Sequence, residues 1–311
     1  MTAIPGPLQS MVFRNADLPG LFHHADSLAI GRQRAAVNGT RWQLCLLVVG
    51  AALAALPWKM TLGGDFQLTS ALSALAYAGV LAVSFRATRG HAKSHWQLNR
   101  SAAEFIKSMC WRYAVHGAPF DSQAADPEGL FTSRLEEGLR ELRRVGWRDP
   151  REDPASGLAD VPLVTAPMRE LRAKAFAVRK ETYVRDRLIE QRNWYRRRQE
   201  ASRRATALWT SAITLLTVLA LLFATLHMFG AAQGVKVAGL LSAAAAACLA
   251  WSEIRRHQPL ISAHSLVEQD LKAMHVAMEN TVSEREWPAA VYETERVVSP
   301  QHTDWLARLR S

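Results

Sequence analysis

The sequence predicts an all-α membrane protein: two transmembrane hairpins, four spans in all, and a cytoplasmic helical bundle that includes a long stalk helix continuous with the third span. Three observations predict it. The apolar residues are gathered into four stretches. Charged residues avoid those stretches. Nearly all Lys and Arg lie outside the two short links that would turn the hairpins. Whole-chain averages hide this arrangement. With 311 residues, 49% hydrophobic, a net charge of +10 and a mean hydropathy of -0.07, the chain reads like an ordinary basic soluble protein. That composition excludes collagen, a disulfide-rich scaffold and a wholly disordered chain.

The four stretches are 42–58, 68–85, 207–229 and 235–251, with 17, 18, 23 and 17 residues. A helix needs about 20 residues to cross the hydrocarbon core, with a range of about 17–25. A buried helix of a soluble bundle keeps a charged stripe on one face. These stretches have one ionisable Lys, Lys236, close enough to an end to snorkel. The fourth is the weakest, because its alanine run 243–247 is small rather than strongly hydrophobic, and its insertion relies on pairing with the third. The links 59–67 and 230–234 are short, so each pair is an antiparallel hairpin. Residues 1–30 contain no apolar signal-peptide core, and the first hairpin is expected to act as the targeting signal.

Basic residues set the orientation. Lys59 lies in the first link and Lys236 just beyond the second. Arg32, Arg34 and Arg41 precede the first span, and Arg86, Arg89 and Lys93 follow the second. Arg196, Arg197, Arg198, Arg203 and Arg204 precede the third span, and Arg255 and Arg256 follow the fourth. By the positive-inside rule, both termini and the middle section are cytoplasmic. Trp42, Trp58, Trp209 and Trp251 sit at span ends, as interfacial anchors do. Cys45 and Cys248 fall in spans and Cys110 in the cytoplasmic part, so no disulfide framework is expected.

The hairpins repeat with one offset. Trp42 maps onto Trp209 and Leu68 onto Val235, both by 167 positions. Matched spacing suggests a duplicated unit. Pro150, Pro154, Pro162 and Pro167, with Gly157, place a boundary between the copies. Residues 1–150 then form an N-terminal two-transmembrane hairpin with cytoplasmic helices. Residues 151–311 form the C-terminal domain: stalk 167–206, the third and fourth spans, and cytoplasmic helices 252–311.

The polar segments read as helices joined by a loop. Residues 92–115 have an apolar face of Trp96, Leu98, Ala102, Phe105, Ile106, Met109 and Tyr113. Residues 117–131 read as a loop and 135–145 as a short basic helix. The stalk is expected to start at Pro167 and to run unbroken into the third span. Residues 169–206 contain 13 Lys or Arg and five acids, a net of +8. Leu171, Phe176, Val178, Tyr183, Leu188 and Ile189 form an apolar seam that suits packing against another helix, within the chain or in a neighbouring protomer. A last amphipathic helix is expected over 261–286, with Leu266, Leu271, Met274 and Met278. Trp305, Leu306 and Leu309 form a docking patch in the tail.

Chemistry-bearing motifs are scarce. There is no phosphate-binding glycine loop, dinucleotide fingerprint, zinc-protease helix or nucleophile elbow, so an enzyme is not expected, nor a cofactor. His91 and His95 are four apart but lack a third ligand, so no metal site is expected. His23 and His24 are adjacent and face apart on a helix. Glu286 reads as a surface charge. Arg196, Arg197, Arg198, Arg203 and Arg204 are candidate contacts to anionic lipid headgroups, each worth about 1 kcal/mol near the surface; specific nucleic-acid binding is not expected. Arg172, Lys174, Arg179 and Lys180 could take a phosphate-bearing ligand, though nothing in the sequence marks a pocket.

Two hydroxyl stripes cross the spans. Ser70, Ser73, Tyr77 and Ser84 share a face of the second, and Thr210, Thr214, Thr217 and Thr225 share a face of the third. They either pack helices together or line a water-filled path. Small residues Gly50 and Ala54 in the first span, and Gly239, Ala243 and Ala247 in the fourth, allow close helix contact. No acid or base lies mid-span, so a proton pump or a charge-selective filter is not expected.

The run RNWYRRRQEASRRATALW, entering a two-helix hairpin that an amphipathic helix follows, resembles the bacterial SLATT family, the two-transmembrane effector domains associated with SMODS and SLOG proteins. Trp194 and Tyr195 with the basic run after them carry the resemblance, which is best over about 165–311. Residues of about 20–120 resemble a second, more diverged copy, making a tandem form. The resemblance implies an inner-membrane effector of bacterial conflict or antiphage defence. Such a protein forms a homo-oligomer and opens a pore or disrupts the bilayer on a nucleotide-derived signal or a partner's signal. A separate nucleotide-sensing or nucleotide-producing partner would then supply the trigger. The alternative is a non-conducting membrane scaffold or sensor that binds a partner through its cytoplasmic helices.

Overall fold

The computed structural model describes residues 11–55, 68–89, 92–229 and 237–298, with the side chains of 87–89, 92–95 and 257 outside that description. Several expectations therefore lie outside the described residues. These are the two hairpin links, Trp58, Lys59, Lys236, His91, the side chains of Arg89, Lys93 and His95, and the tail patch of Trp305, Leu306 and Leu309.

The described residues contain helices and turns, and no strand. In order the helices are α1 (Gly20–Ala55), α2 (Leu68–Arg89), α3 (Ala92–Ala114), α4 (Pro127–Arg144), α5 (Ala166–Ala173), α6 (Phe176–Tyr183), α7 (Glu190–Met228), α8 (Val237–Arg255), α9 (His257–Asn280) and α10 (Trp287–Val298). A π-helical turn, Val184–Ile189, joins α6 to α7. The chain divides into two compact units. A polar unit draws on residues up to Arg32, on Lys93–Arg197 and on residues from His264 onward. A spanning unit draws on Gln33–Ala92 and Arg198–Ala263. Both units therefore take segments from both halves of the chain.

The polar unit has a conventional apolar core. Phe131, Leu135, Leu139 and Leu142 line one face of α4 at helical spacing, and each is fully buried. They meet Ile106, Met109 and Tyr113 of α3, and Met168 and Leu171 of α5. Helix α4 begins at Pro127, well before the expected Leu135. Asp126 caps it by accepting from the Gly129 N–H at 2.9 Å, and Pro127 occupies the first turn. The loop expected over 117–131 is correspondingly shorter.

The stalk departs from expectation at its start. Thr165 caps α5, but Lys174 and Ala175 are extended, with ψ of 158° and 154°, and the helix restarts at Phe176. One distant and one local side chain take the carbonyls freed by this break. The ring Nε2 of His116 lies 3.1 Å from the Arg172 carbonyl, and Arg179 Nε donates to the Lys174 carbonyl at 3.1 Å. The helix that continues into the third span is therefore Phe176–Met228, 53 residues long. Its seam faces its own chain: Leu171, Val178, Tyr183 and Leu188 are buried, and Phe176 and Ile189 pack against the same core.

The last helix expected, 261–286, is two. α9 ends at Asn280 and α10 starts at Trp287. The Glu286 side chain reaches back to Ser283 at the new start. The Ser283 hydroxyl and N–H both donate to Glu286 Oε2, at 2.7 and 3.2 Å. Glu286 is thus an exposed capping residue, and these bonds hold its carboxyl below the usual range. Trp287 is buried, donates to the Val115 carbonyl at 2.7 Å and meets Phe176 and Tyr183 edge-on.

A buried ion pair lies in this core. Arg187, on the π turn, grips Glu295 of α10 with Nε at 2.9 Å and Nη2 at 2.7 Å, with side-chain exposures of 1% and 2%. The Tyr183 hydroxyl donates to the same carboxylate at 3.0 Å. Burial pulls the guanidinium pKa down, but the facing carboxylate outweighs it and the net direction is up.

Candidate functional site

Among the described residues, four helical segments are long and apolar enough to cross a membrane: Gly20–Ala55, Leu68–Arg86, Phe176–Met228 and Val237–Asn280. The spanning unit buries little of its apolar surface. Leu75, Leu81, Leu215 and Leu221 are 66%, 71%, 59% and 66% exposed. Burying a leucine is worth about 1.5–3 kcal/mol, so an outward face of this kind is built for lipid or for another apolar surface. The chain is an all-α membrane protein.

The α2 stripe is largely a seam against α1. Ser73 is buried and donates to the Gly50 carbonyl at 2.9 Å. The Tyr77 ring lies over Gly50, where an added Cβ would sit 3.1 Å from ring carbons. Gly79 in turn faces Leu46. Gln43 donates to the Ser84 hydroxyl at 2.9 Å, and that hydroxyl donates to the Val80 carbonyl at 2.8 Å. Ser70 is exposed one turn before Ser73. Gly50 is thus needed for close approach, and Tyr77 keeps its other side outward.

The α7 stripe faces away from its unit. Thr210, Thr214, Thr217 and Thr225 are all exposed. Thr217 donates to the Ile213 carbonyl at 2.8 Å, and Thr225 to the Leu221 and Leu222 carbonyls, each at 2.8 Å. These two hydroxyls spend their protons on their own helix. At Thr217 and Thr225 the face meets lipid or a neighbouring helix without an orphaned donor, and still presents oxygen lone pairs outward.

An arginine–tryptophan group closes one end of the spanning unit. Trp209 and Trp251 rings lie 6.5 Å apart. The guanidinium carbons of Arg41 and Arg255 lie 6.0 and 5.7 Å from the Trp251 ring. Arg198 also lies near Arg255, so three guanidinium groups from α1, α7 and α8 converge. Each was recognisable as a flanking charge in the sequence. Their convergence was not, because it depends on how three helices are arranged.

Arg196, Arg197, Arg198, Arg203 and Arg204 are all exposed along α7. Trp194 and Tyr195 form a three-ring cluster with His264 of α9, with centroids 4.9, 5.5 and 6.0 Å apart. Tyr195 is buried there while Trp194 is half in solvent. The four stalk cations considered for a phosphate ligand are engaged within the fold. Arg172 donates to the carbonyls of Tyr113, Phe120 and Asp121. Lys180 donates to those of Glu279 and Val282. Lys174 pairs with Glu170, and Arg179 with Glu284. Among the described residues no group of three His, Cys, Asp or Glu could hold a metal ion.

Residues 19–180 match the family model described as SMODS and SLOG-associating 2TM effector domain 3, and residues 183–305 match that of SMODS and SLOG-associating 2TM effector domain 1. No curated protein and no solved structure matches the chain. Each matched segment has the same succession: a long helix turning apolar in its second half, an apolar helix, then a polar one. These are α1–α3 and α7–α9.

Proposed function

The chain belongs to the SLATT family, two effector domains in tandem, and from that premise we propose that it is a pore-forming effector of a bacterial defence system in the inner membrane. SLATT domains are two-transmembrane effector domains associated with SMODS and SLOG defence systems. On this reading both termini and the polar unit are cytoplasmic, the protein is not an enzyme, and several copies assemble. A separate partner that senses or makes a nucleotide signal triggers it.

The outward threonine face of α7 carries the reading. Thr210, Thr214, Thr217 and Thr225 are exposed on a single copy, and the bonded hydroxyls still offer oxygens outward. Copies arranged with this face inward would surround a path lined by hydroxyl oxygens and leucines. The arginine belt supports the orientation, because guanidinium groups beside indole rings suit an anionic headgroup layer.

Membrane potential in expressing bacterial cells tests the proposal. Induction of the native protein together with its trigger should depolarise the membrane, and changing the four threonines to Leu should abolish this at equal protein level. A scaffold would instead leave the potential intact, or would stay toxic with the threonines replaced.

A further inference from the structure

The polar unit contains a polar cavity of about 180 Å3, walled by α1, α3, the π turn and the start of α7. A cavity needs only about 10–15 Å3 to hold one water, so this one has room for a group several atoms across. Its wall is crowded with charge, and most of that charge is already matched. Arg100 pairs with Asp26 at 3.0 Å and with Glu104. Asp186 is held by Arg185 and by the Phe13 N–H.

Inward of the exposed rim, where Glu190 and Arg197 lie, two groups on the wall are not matched. Arg187 spends Nε and Nη2 on Glu295, while its Nη1 is buried and finds no acceptor among the described residues. Such orphaned donors are rare in native proteins and call for an explanation. Lys107, on α3, also lines the cavity and forms no ion pair among the described residues. Burial, and next the neighbouring Arg187, pull its ammonium down to about 8. Two like-charged donors therefore sit together beside open space.

We propose that this cavity binds a small tetrahedral oxyanion, a phosphate that is free or forms the end of a phosphomonoester, held by Arg187 Nη1 and Lys107 Nζ. The ligand needs acceptors and negative charge, because the two inner unmatched groups, Arg187 Nη1 and Lys107, are donors and positive. A tetrahedral oxyanion supplies both, and charge-assisted bonds to guanidinium and ammonium are among the strong ones. A water could accept from one donor, but it adds no negative charge beside Lys107, whose ammonium burial and Arg187 disfavour more than Glu104, Glu295 and Glu190 favour it. Glu190, exposed at the rim, and the matched carboxylates limit the ligand to one phosphate group. The π turn contributes by carrying Arg187 into the wall while its other two nitrogens face α10. This site does not depend on whether the protein conducts.

Calorimetry on the full chain in neutral-lipid nanodiscs tests the site, with inorganic phosphate and glycerol 3-phosphate as probes and chloride at matched ionic strength as the control. Saturable binding of one probe or both is expected. Phosphate alone points to a free ion, and glycerol 3-phosphate alone to a monoester. Lys107→Met should weaken binding at least tenfold, and Lys107→Arg should retain it. Absence of binding by both probes overturns the proposal and leaves water as the occupant. Unchanged binding in Lys107→Met also overturns it. If Lys107→Met does not fold, labelling of lysines in the native protein decides. Phosphate should protect Lys107 from amine acylation, read by mass spectrometry, and equal labelling with and without phosphate overturns the site.

Discussion

Replacing Glu295 by Gln should be among the most damaging single changes in the polar unit. The substitution keeps the shape and removes one charge. It leaves the Arg187 guanidinium 1% exposed, facing a neutral amide in place of a carboxylate that accepted at 2.9 and 2.7 Å. The Tyr183 hydroxyl loses a charged acceptor as well. Breaking a buried pair by removing one partner costs about 3–5 kcal/mol, because the surviving charge stays desolvated. For a unit of this size that corresponds to roughly 6–20 °C in unfolding temperature. Thermal unfolding of the full chain in nanodiscs, followed by tryptophan emission, measures it, since buried Trp287 reports on the same core. Replacing both partners, Arg187→Met with Glu295→Leu, should recover most of the loss, because hydrophobic residues of similar volume substitute well for such pairs. A loss under about 1 kcal/mol for Glu295→Gln would refute the reasoning. It would mean that the guanidinium reaches water or another acceptor.

Three further outcomes follow from single sites. His116 has its pKa pulled down to about 4, by burial first and then by Arg172 and Arg179, so the folded state holds the ring neutral. The unfolded chain then binds the extra proton as pH falls below about 6.5, and stability should decline from there towards pH 4; a titration of unfolding temperature checks this, and His116→Asn, which tolerates the positive φ of 62° at this position, should flatten the profile. Asp126→Ala should cost about 1 kcal/mol by uncapping α4 while Asp126→Asn costs little, as denaturant midpoints will report. Gly138→Ala should cost about 1–3 kcal/mol, because the new Cβ would lie 2.1 Å from the Phe105 ring; an unchanged midpoint would show that α3 and α4 can separate freely.

The spans were readable because lipid demands composition rather than arrangement. A run of apolar residues such as 207–229 announces itself whatever it packs against, and each of the four runs overlaps a helix that is long and apolar enough to cross among the described residues. The places where the reading failed depend on tertiary contacts or on short local signals. Nothing in residues 167–206 interrupts helical spacing. At the break at Lys174 and Ala175, Arg179 takes one freed carbonyl locally and His116, just past the end of α3 and 56 positions from Arg172, takes the other. By contrast, the starts of α4 and α10 carry local marks in the sequence: Asp126 with Pro127, and Ser283 with Glu286. Arg187 and Glu295 are 108 positions apart, so their pairing and the cavity beside it had no local signature. The hydroxyl stripes were recognisable as faces, but only the fold separates the α2 face, turned largely to α1, from the α7 face, turned outward.

Single-channel recording across planar bilayers tests the central claim most directly. The purified full chain would be reconstituted and recorded alone, then with small-molecule extract of phage-infected cells as the trigger. The account predicts stepwise conductance that changing Thr210, Thr214, Thr217 and Thr225 to Leu removes. A bilayer that stays silent under both conditions, with the protein verified as inserted, would contradict it.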